Sequence, residues 1–308
     1  MRKRTRSFGA VLLDGYLRLK GRFPLSYHYF WGRIAAWLCR DVVHYRTRET
    51  MVNLSRSFPG MKYAELKETE RRFYAHLGDI FAETVWFAGC RGERGIQRFR
   101  RQHLIESLNP ETLNRFHDEG RPVMVFASHT GNWELLGSLL STSWGEPFTV
   151  RPGDIAVVYK RLSSRVWDEV LRDNRCGIVA HTDFDGYVES KEMLRYALSH
   201  REEPLVYLFP NDQAPYQGAS RADVGTFLHQ DTQAMTGGAA LARKLGMAVV
   251  YLRWRAEARG RYTVEYVPLA ADASQLTVEE ILRRYYALLE EDVQAQPFNY
   301  LWTHRRWK

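Results

Sequence analysis

The feature that most constrains this chain is a change of hydrophobic period near residue 120. Before it, "KYAELKETERRFYAHLGDIFAETVWFAG" places Leu66, Phe73, Leu77, Ile80, Phe81 and Val85 at spacings of three, four and seven, which predicts a long helix with one buried face. Pro59-Gly60 supplies the turn ahead of it. After residue 120, short apolar runs alternate with amphipathic segments. Candidate strands are 122–129, 147–150, 155–160, 176–181, 204–210, 247–254 and 262–269, with helices expected at about 132–143, 163–174, 188–201, 233–245 and 277–295. The last helix opens with Thr277 and Glu280 in capping-box spacing. This alternation predicts an α/β fold: a mixed, mainly parallel central sheet flanked by helices, behind an N-terminal helical region. Residues 1–105 then form the helical region and 106–308 the α/β core, integrated as one domain.

Charge and cysteine usage narrow the partners. Forty-four Lys and Arg against 36 Asp and Glu leave +8, which suits an anionic partner such as nucleic acid, acidic lipid or an acidic carrier. The three cysteines, Cys39, Cys90 and Cys176, are odd in number and far apart, so neither a disulfide framework nor a CxxC metal site is indicated, and a reducing compartment is expected. No run of about 18 uncharged apolar residues occurs, so no ordinary transmembrane helix is expected. The start "MRKRTR" and the Phe, Leu, Tyr and Trp that follow are interleaved with Arg and Lys; Asp14 interrupts the apolar part, which argues for a retained segment rather than a cleaved signal. Such a segment packs on the domain as a helix pair or lies on an anionic membrane surface.

Chemistry first surfaces in "SHTGNWELLG". His129 stands at the carboxyl end of a predicted strand, where open α/β sheets place their ligands. On one continuous helix His129 and Glu134 would diverge, but Thr130-Gly131 offers a bend that lets the carboxylate sit behind the imidazole. A carboxylate on one ring nitrogen leaves the other free as a general base. The plain alternative is a helix capped by Asn132 that happens to contain both residues. Lys160 and Arg161 follow another predicted strand; they bind a phosphate, stabilise an oxyanion, or merely open a solvated helix. Asp212 and Gln213, after a third strand, either support the site or form an Asx-type turn before Pro215. Asp231 is read as the cap of a helix beginning near Gln233, and "HTDFDG" (181–186) as a turn, since its alternating acids match no metal-loop spacing.

Several segments carry a family resemblance. "HTGNWE" resembles the HxxxxE motif of the lipid A biosynthesis acyltransferases, within the wider glycerolipid and lysophospholipid acyltransferase group. "NLSRSFP" (53–59), "VVYKRLSS" (157–164), "FPNDQAP" (209–215), "TFLHQDTQAMTGGAALARKLG" (226–246) and "YLWTHRRWK" (300–308) resemble further segments of that family in its order, covering about residues 50–308. Lys160-Arg161 stands where many relatives have a basic residue followed by proline. The resemblance implies a glycerolipid acyltransferase-like fold and transfer of a fatty acyl group from acyl carrier protein, or acyl-CoA, to a hydroxyl of a lipid A precursor. His129 would be the general base, Glu134 its orienting acid, and Asn132, Lys160, Arg161, Asp212 and Gln213 substrate-binding residues. It further implies no cofactor or metal, and a peripheral or monotopic position on the cytoplasmic face of the inner membrane. An acyltransferase acting on another lipid, such as a lysophospholipid, glycolipid or aminolipid, fits the same residues. Nucleic-acid binding is disfavoured because the Trp, Tyr and Phe follow helix and strand periodicity, as core residues do.

Overall fold

The computed structural model describes residues 6–307; Lys308 and residues 1–5, most of the basic start, lie outside them. Five helices come first: α1 (Phe8–Lys20), α2 (Leu25–Trp37), α3 (Thr47–Ser57), α4 (Tyr63–Phe87) and α5 (Gly92–Gln102). The strands that follow are β1 (Ile105–Ser107), β2 (Val123–Ala127), β3 (Ile155–Tyr159), β4 (Tyr187–Glu189), β5 (Val206–Pro210), β6 (Arg221–Phe227), β7 (Gln230–Met235), β8 (Ala248–Ala258) and β9 (Arg261–Ala270). Between and after them run α6 (Glu111–Asp118), α7 (Arg165–Arg175), α8 (Met193–Ser199), α9 (Gly237–Lys244) and α10 (Val278–Ala295).

Among the described residues, seven strands form one sheet in the order β1-β9-β8-β2-β5-β3-β4. The block from β8 to β4 is parallel, and β9 turns antiparallel against β8, so the sheet is mixed and mainly parallel. All five residues of β2, "VMVFA", are buried, as a central strand covered on both faces requires. One face meets α9 and α10 through Met124, Phe126, Tyr251 and Tyr285; the other meets α4 and α5 through Val125, Leu252, Phe87 and Phe99. The long helix α4 buries Leu66, Phe73 and Ile80 along one stripe, at a seven-residue repeat. It packs so closely on α2 that a Cβ at Gly32 or Gly78 would run into the opposing backbone.

Four expectations need correction. Residues 147–150 form no strand, because the Asn114 side chain bonds the Pro147 carbonyl and the Thr149 amide, replacing ladder partners. The apolar run 176–181 is a chain of turns, with Val179 N–H donating to the Cys176 carbonyl, that buries Ile178 and Val179 without joining the sheet. Only 193–199 of the helix expected at 188–201 forms, since residues 187–189 pair with β3 as β4. Asp231 caps no helix: it lies in β7, paired with β6 in a separate hairpin whose turn residues Leu228 and His229 both have positive φ. That geometry normally selects Asn-Gly; here burial of the Leu228 side chain holds it. The Thr277–Glu280 capping box is present.

Candidate active site

Ala127, the last residue of β2, pairs with Pro210, the last of β5. His129 and Asp212 each lie two residues beyond this pair, so the sheet register itself carries them side by side. Asp212 grips the histidine twice: Oδ1 lies 2.7 Å from the ring Nδ1, and Oδ2 accepts the His129 backbone N–H at 3.0 Å. The Asp212 side chain is 2% exposed and the His129 side chain 18%, so the carboxylate is sealed in while the ring reaches outward. Burial works against the Asp212 charge, but the imidazole and the bonds from His129 outweigh it and hold the carboxyl below its ordinary range. A carboxylate can only accept, which puts the proton on Nδ1 and the lone pair on Nε2. Nε2 faces the side-chain amide nitrogen of Gln213 at 3.2 Å.

Glu134 is not the partner of His129. Asn132 caps the segment after the bend, its Oδ1 accepting the Glu134 amide at 3.2 Å, and a 3-10 helix, Trp133–Ser141, begins at once. That tight start carries the Glu134 side chain to α7, where Arg175 donates to both carboxylate oxygens at 2.7 and 2.8 Å and to the Tyr187 hydroxyl at 3.1 Å. The Trp133 ring lies edge-on between these groups, 5.3 Å from the His129 ring, its Nε1 donating to Glu134 at 3.1 Å. Glu134 is thus the anchor of an ion pair beneath the site, and Asp212 takes the place expected for it.

The turn is pinned on every side. Thr130 bridges to Tyr300, Gly131 N–H donates to Asn299 Oδ1 at 2.7 Å, and Asn132 Nδ2 donates to Glu83 of α4 at 2.7 Å. Gly131 has φ +59°, and a Cβ there would overlap the Trp254 indole, so the bend requires glycine. From α10, the Tyr285 hydroxyl donates to the Ala127 carbonyl at 2.9 Å and Tyr286 to the Asn211 carbonyl at 2.8 Å, fixing both strand ends. Arg306, near the chain end, is buried and donates to the Tyr286 hydroxyl at 2.9 Å.

His129 and Gln213 open on a cavity of about 1110 Å³ whose wall is mostly apolar, with Leu136, Val179, Phe184 and Leu208 among its lining. Lys160, Arg161 and Lys244 line the same cavity. The Lys160 ammonium lies 4.5 Å from the Tyr216 ring centroid, and Arg161 pairs with Glu189 at 2.8 Å. Of the expected site residues, His129, Lys160, Arg161 and Gln213 therefore share one cavity with Asp212 directly behind the histidine. Asn132 does not: it is buried, its side chain is spent on Glu83 and Glu134, and it lies outside the lining. Arg175, Tyr187, Glu83 and Arg306 were not anticipated, and only Arg306, within the "THRR" ending, carried any signal in the sequence.

A histidine–carboxylate pair at the strand ends of an α/β sheet, open to a large apolar cavity, is the arrangement that proton transfer on an apolar substrate requires. The chain matches the family model of bacterial lipid A biosynthesis acyltransferases over residues 2–308, and it belongs to that family. It is accordingly an acyltransferase of the lipid A type in general. No individual curated protein matches the chain.

Proposed function

We propose that the protein transfers a fatty acyl group from a thioester, carried by acyl carrier protein or acyl-CoA, to a hydroxyl of a lipid A precursor, with His129 as general base and Asp212 as the group that orients it. The observation that carries this reading is the His129–Asp212 contact, which leaves Nε2 as the basic nitrogen, facing the Gln213 amide at the mouth of an apolar cavity. The acceptor hydroxyl displaces the Gln213 amide, gives its proton to Nε2, and its oxygen attacks the thioester carbonyl carbon. The tetrahedral intermediate collapses with cleavage of the carbon–sulfur bond, and the departing sulfur takes the proton from Nε2 to leave as a thiol, which returns His129 to its neutral form. The acyl chain lies along Leu136, Val179 and Phe184, and Lys160 and Arg161 meet an anionic group of the acceptor or the intermediate's oxyanion. Neither Cys90 nor Cys176 serves as nucleophile; burial pushes both thiols up to about 12, where thiolate is scarce.

The reaction takes place at a membrane surface, on the cytoplasmic face of the inner membrane. Supporting this, α1 and α2 expose Phe8, Leu12, Leu19, Phe30 and Trp31 beside Arg18, Lys20 and Arg22, a basic and apolar mixture suited to anionic lipid. Among the described residues no helix is long and apolar enough to cross a membrane. The test is acyl transfer from acyl carrier protein to a lipid A precursor in detergent. His129→Ala is expected to abolish it, and transfer at the parental rate overturns the mechanism. Mass spectrometry of lipids from cells with and without the gene identifies the acceptor: an unchanged lipid A acylation pattern would point to another lipid.

A further inference from the structure

Glu83 is a carboxylate one turn from the carboxyl end of α4, with no exposed surface and, among the described residues, no Lys or Arg within ion-pair distance. Its oxygens instead accept from three neutral donors: Asn132 Nδ2 at 2.7 Å, the Tyr29 hydroxyl of α2 at 2.8 Å and the Tyr262 hydroxyl of β9 at 3.0 Å. Burying such a group is costly, and these bonds offset the cost only in part. Burial is the larger influence, opposed by the bonds from Asn132, Tyr29 and Tyr262, and the carboxyl is pushed up to about 7.

We infer that Glu83 is a positioning residue for the reaction: by accepting from Asn132 it fixes which way the Asn132 amide points, and through that the turn that carries His129. This inference rests on His129 being the base. A side-chain amide has a donor end and an acceptor end of nearly the same shape, so its orientation follows from its partners. Ionised, as it is above about pH 7, the Glu83 carboxylate offers no donor. Asn132 must therefore aim Nδ2 at Glu83, which leaves Oδ1 for the Glu134 amide at 3.2 Å and starts the 3-10 helix a few residues after His129. Were the amide reversed, Nδ2 would face the Glu134 N–H, donor against donor, and the turn would lose its cap. Tyr29 and Tyr262 clamp the other lone pairs, tying the catalytic turn to α2 and β9 through one side chain.

An exchange of donor and acceptor tests this in the full chain. Asn132→Asp alone sets two carboxylates against each other, and kcat is expected to fall about 100-fold with KM changed less than about threefold, as a displaced catalytic group does. Glu83→Gln alone is expected to lower kcat about threefold to tenfold, because one amide oxygen cannot serve all three donors. Glu83→Gln combined with Asn132→Asp restores complementarity: the amide now on α4 donates, and the carboxylate now on the turn accepts from both sides. In that double variant kcat is expected to return to within about tenfold of the parent. Hydrogen exchange at the backbone amides of residues 131–134 gives a readout independent of turnover, fast in Asn132→Asp and slowed again in the double variant. A double variant no faster and no better protected than Asn132→Asp, with an unchanged melting temperature, overturns the inference. Should Asn132→Asp fail to fold, Glu83→Gln decides, and parental kcat and exchange in that variant sink it. If His129→Ala keeps the parental rate while the exchange pattern follows the swap, the proposed mechanism fails and the Glu83–Asn132 geometry stands.

Discussion

Asp212 and Glu134 are both acids at the carboxyl edge of the sheet, and their different partners show how position decides chemistry. Asp212 follows β5 by the same offset at which His129 follows β2, and it bonds the imidazole and its backbone amide. Glu134 is five residues from His129 in sequence yet pairs with α7, held by two nitrogens of the Arg175 guanidinium. Sequence distance suggested one pair and sheet register makes the other. The sharpest way to break this contrast is to neutralise each acid in turn. Asp212→Asn keeps the shape but favours the wrong imidazole tautomer, so kcat is expected to fall on the order of 1000-fold with little change in KM. Steady-state rates of Glu134→Gln, by contrast, are expected within about tenfold of the parent, since the ion pair it breaks touches no reacting atom. Equal losses in the two variants would erase the distinction.

Stability should rank the two acids the other way. Glu134 neutralises an arginine that is three-quarters covered, and removing it leaves that cation with the Tyr187 hydroxyl alone. Glu134→Gln is expected to cost about 3 kcal/mol in denaturant unfolding, the low end for breaking a buried pair. Replacing both partners, Glu134→Gln with Arg175→Met, should recover about half of that, because no uncompensated charge remains. A double variant as unstable as Glu134→Gln would mean that Arg175 acts through its packing rather than its charge.

The central strands, α4, α7, α10 and the capping box were legible because each rests on local signals: period, length and cap chemistry. So was the placement of His129, Lys160, Arg161 and Gln213 at the sheet edge, since a polar residue after an apolar strand run emerges there wherever that strand lies. What was not legible is which strand ends adjoin. That β2 and β5 are neighbours, with Ala127 opposite Pro210, is set by crossover connections and not by any residue near His129. The matching offsets of "ASH" and "PND" from their strand ends were present in the sequence, but they acquire meaning only once the two strands are known to pair. Glu83 was hidden for a related reason. It falls within the buried stripe of α4, where helical periodicity expects an apolar residue, and its partners come from α2, β9 and the turn, all remote in sequence.

The smallest effect expected belongs to the turn rather than to either acid, and it shows in the pH dependence of stability. Behind the turn, burial holds the His76 imidazole down to about 4 against hydrogen bonds to Asn299 and Gly131, and pushes Glu83 up to about 7. Both groups favour their neutral form in the fold more than in the unfolded chain, so their contributions run in opposite directions with pH. For His76 the folded value lies below the unfolded one: its contribution is present above about 6.5 and lost as the pH falls toward 4. For Glu83 the folded value lies above: its contribution is present below about 4.5 and lost as the pH rises through 7. Each is worth about 3 kcal/mol across its window. The two windows overlap almost completely, so their slopes cancel, and together these two groups add almost no net slope to the parent's unfolding free energy between about 4.5 and 6.5. Removing one group uncovers the other. His76→Gln leaves a decline in stability as the pH rises through that range, whereas Glu83→Gln leaves an increase. Asp212, held low, adds a loss only at more acid pH. A profile that stays flat in both variants would locate the titration elsewhere and detach the turn from these two buried groups.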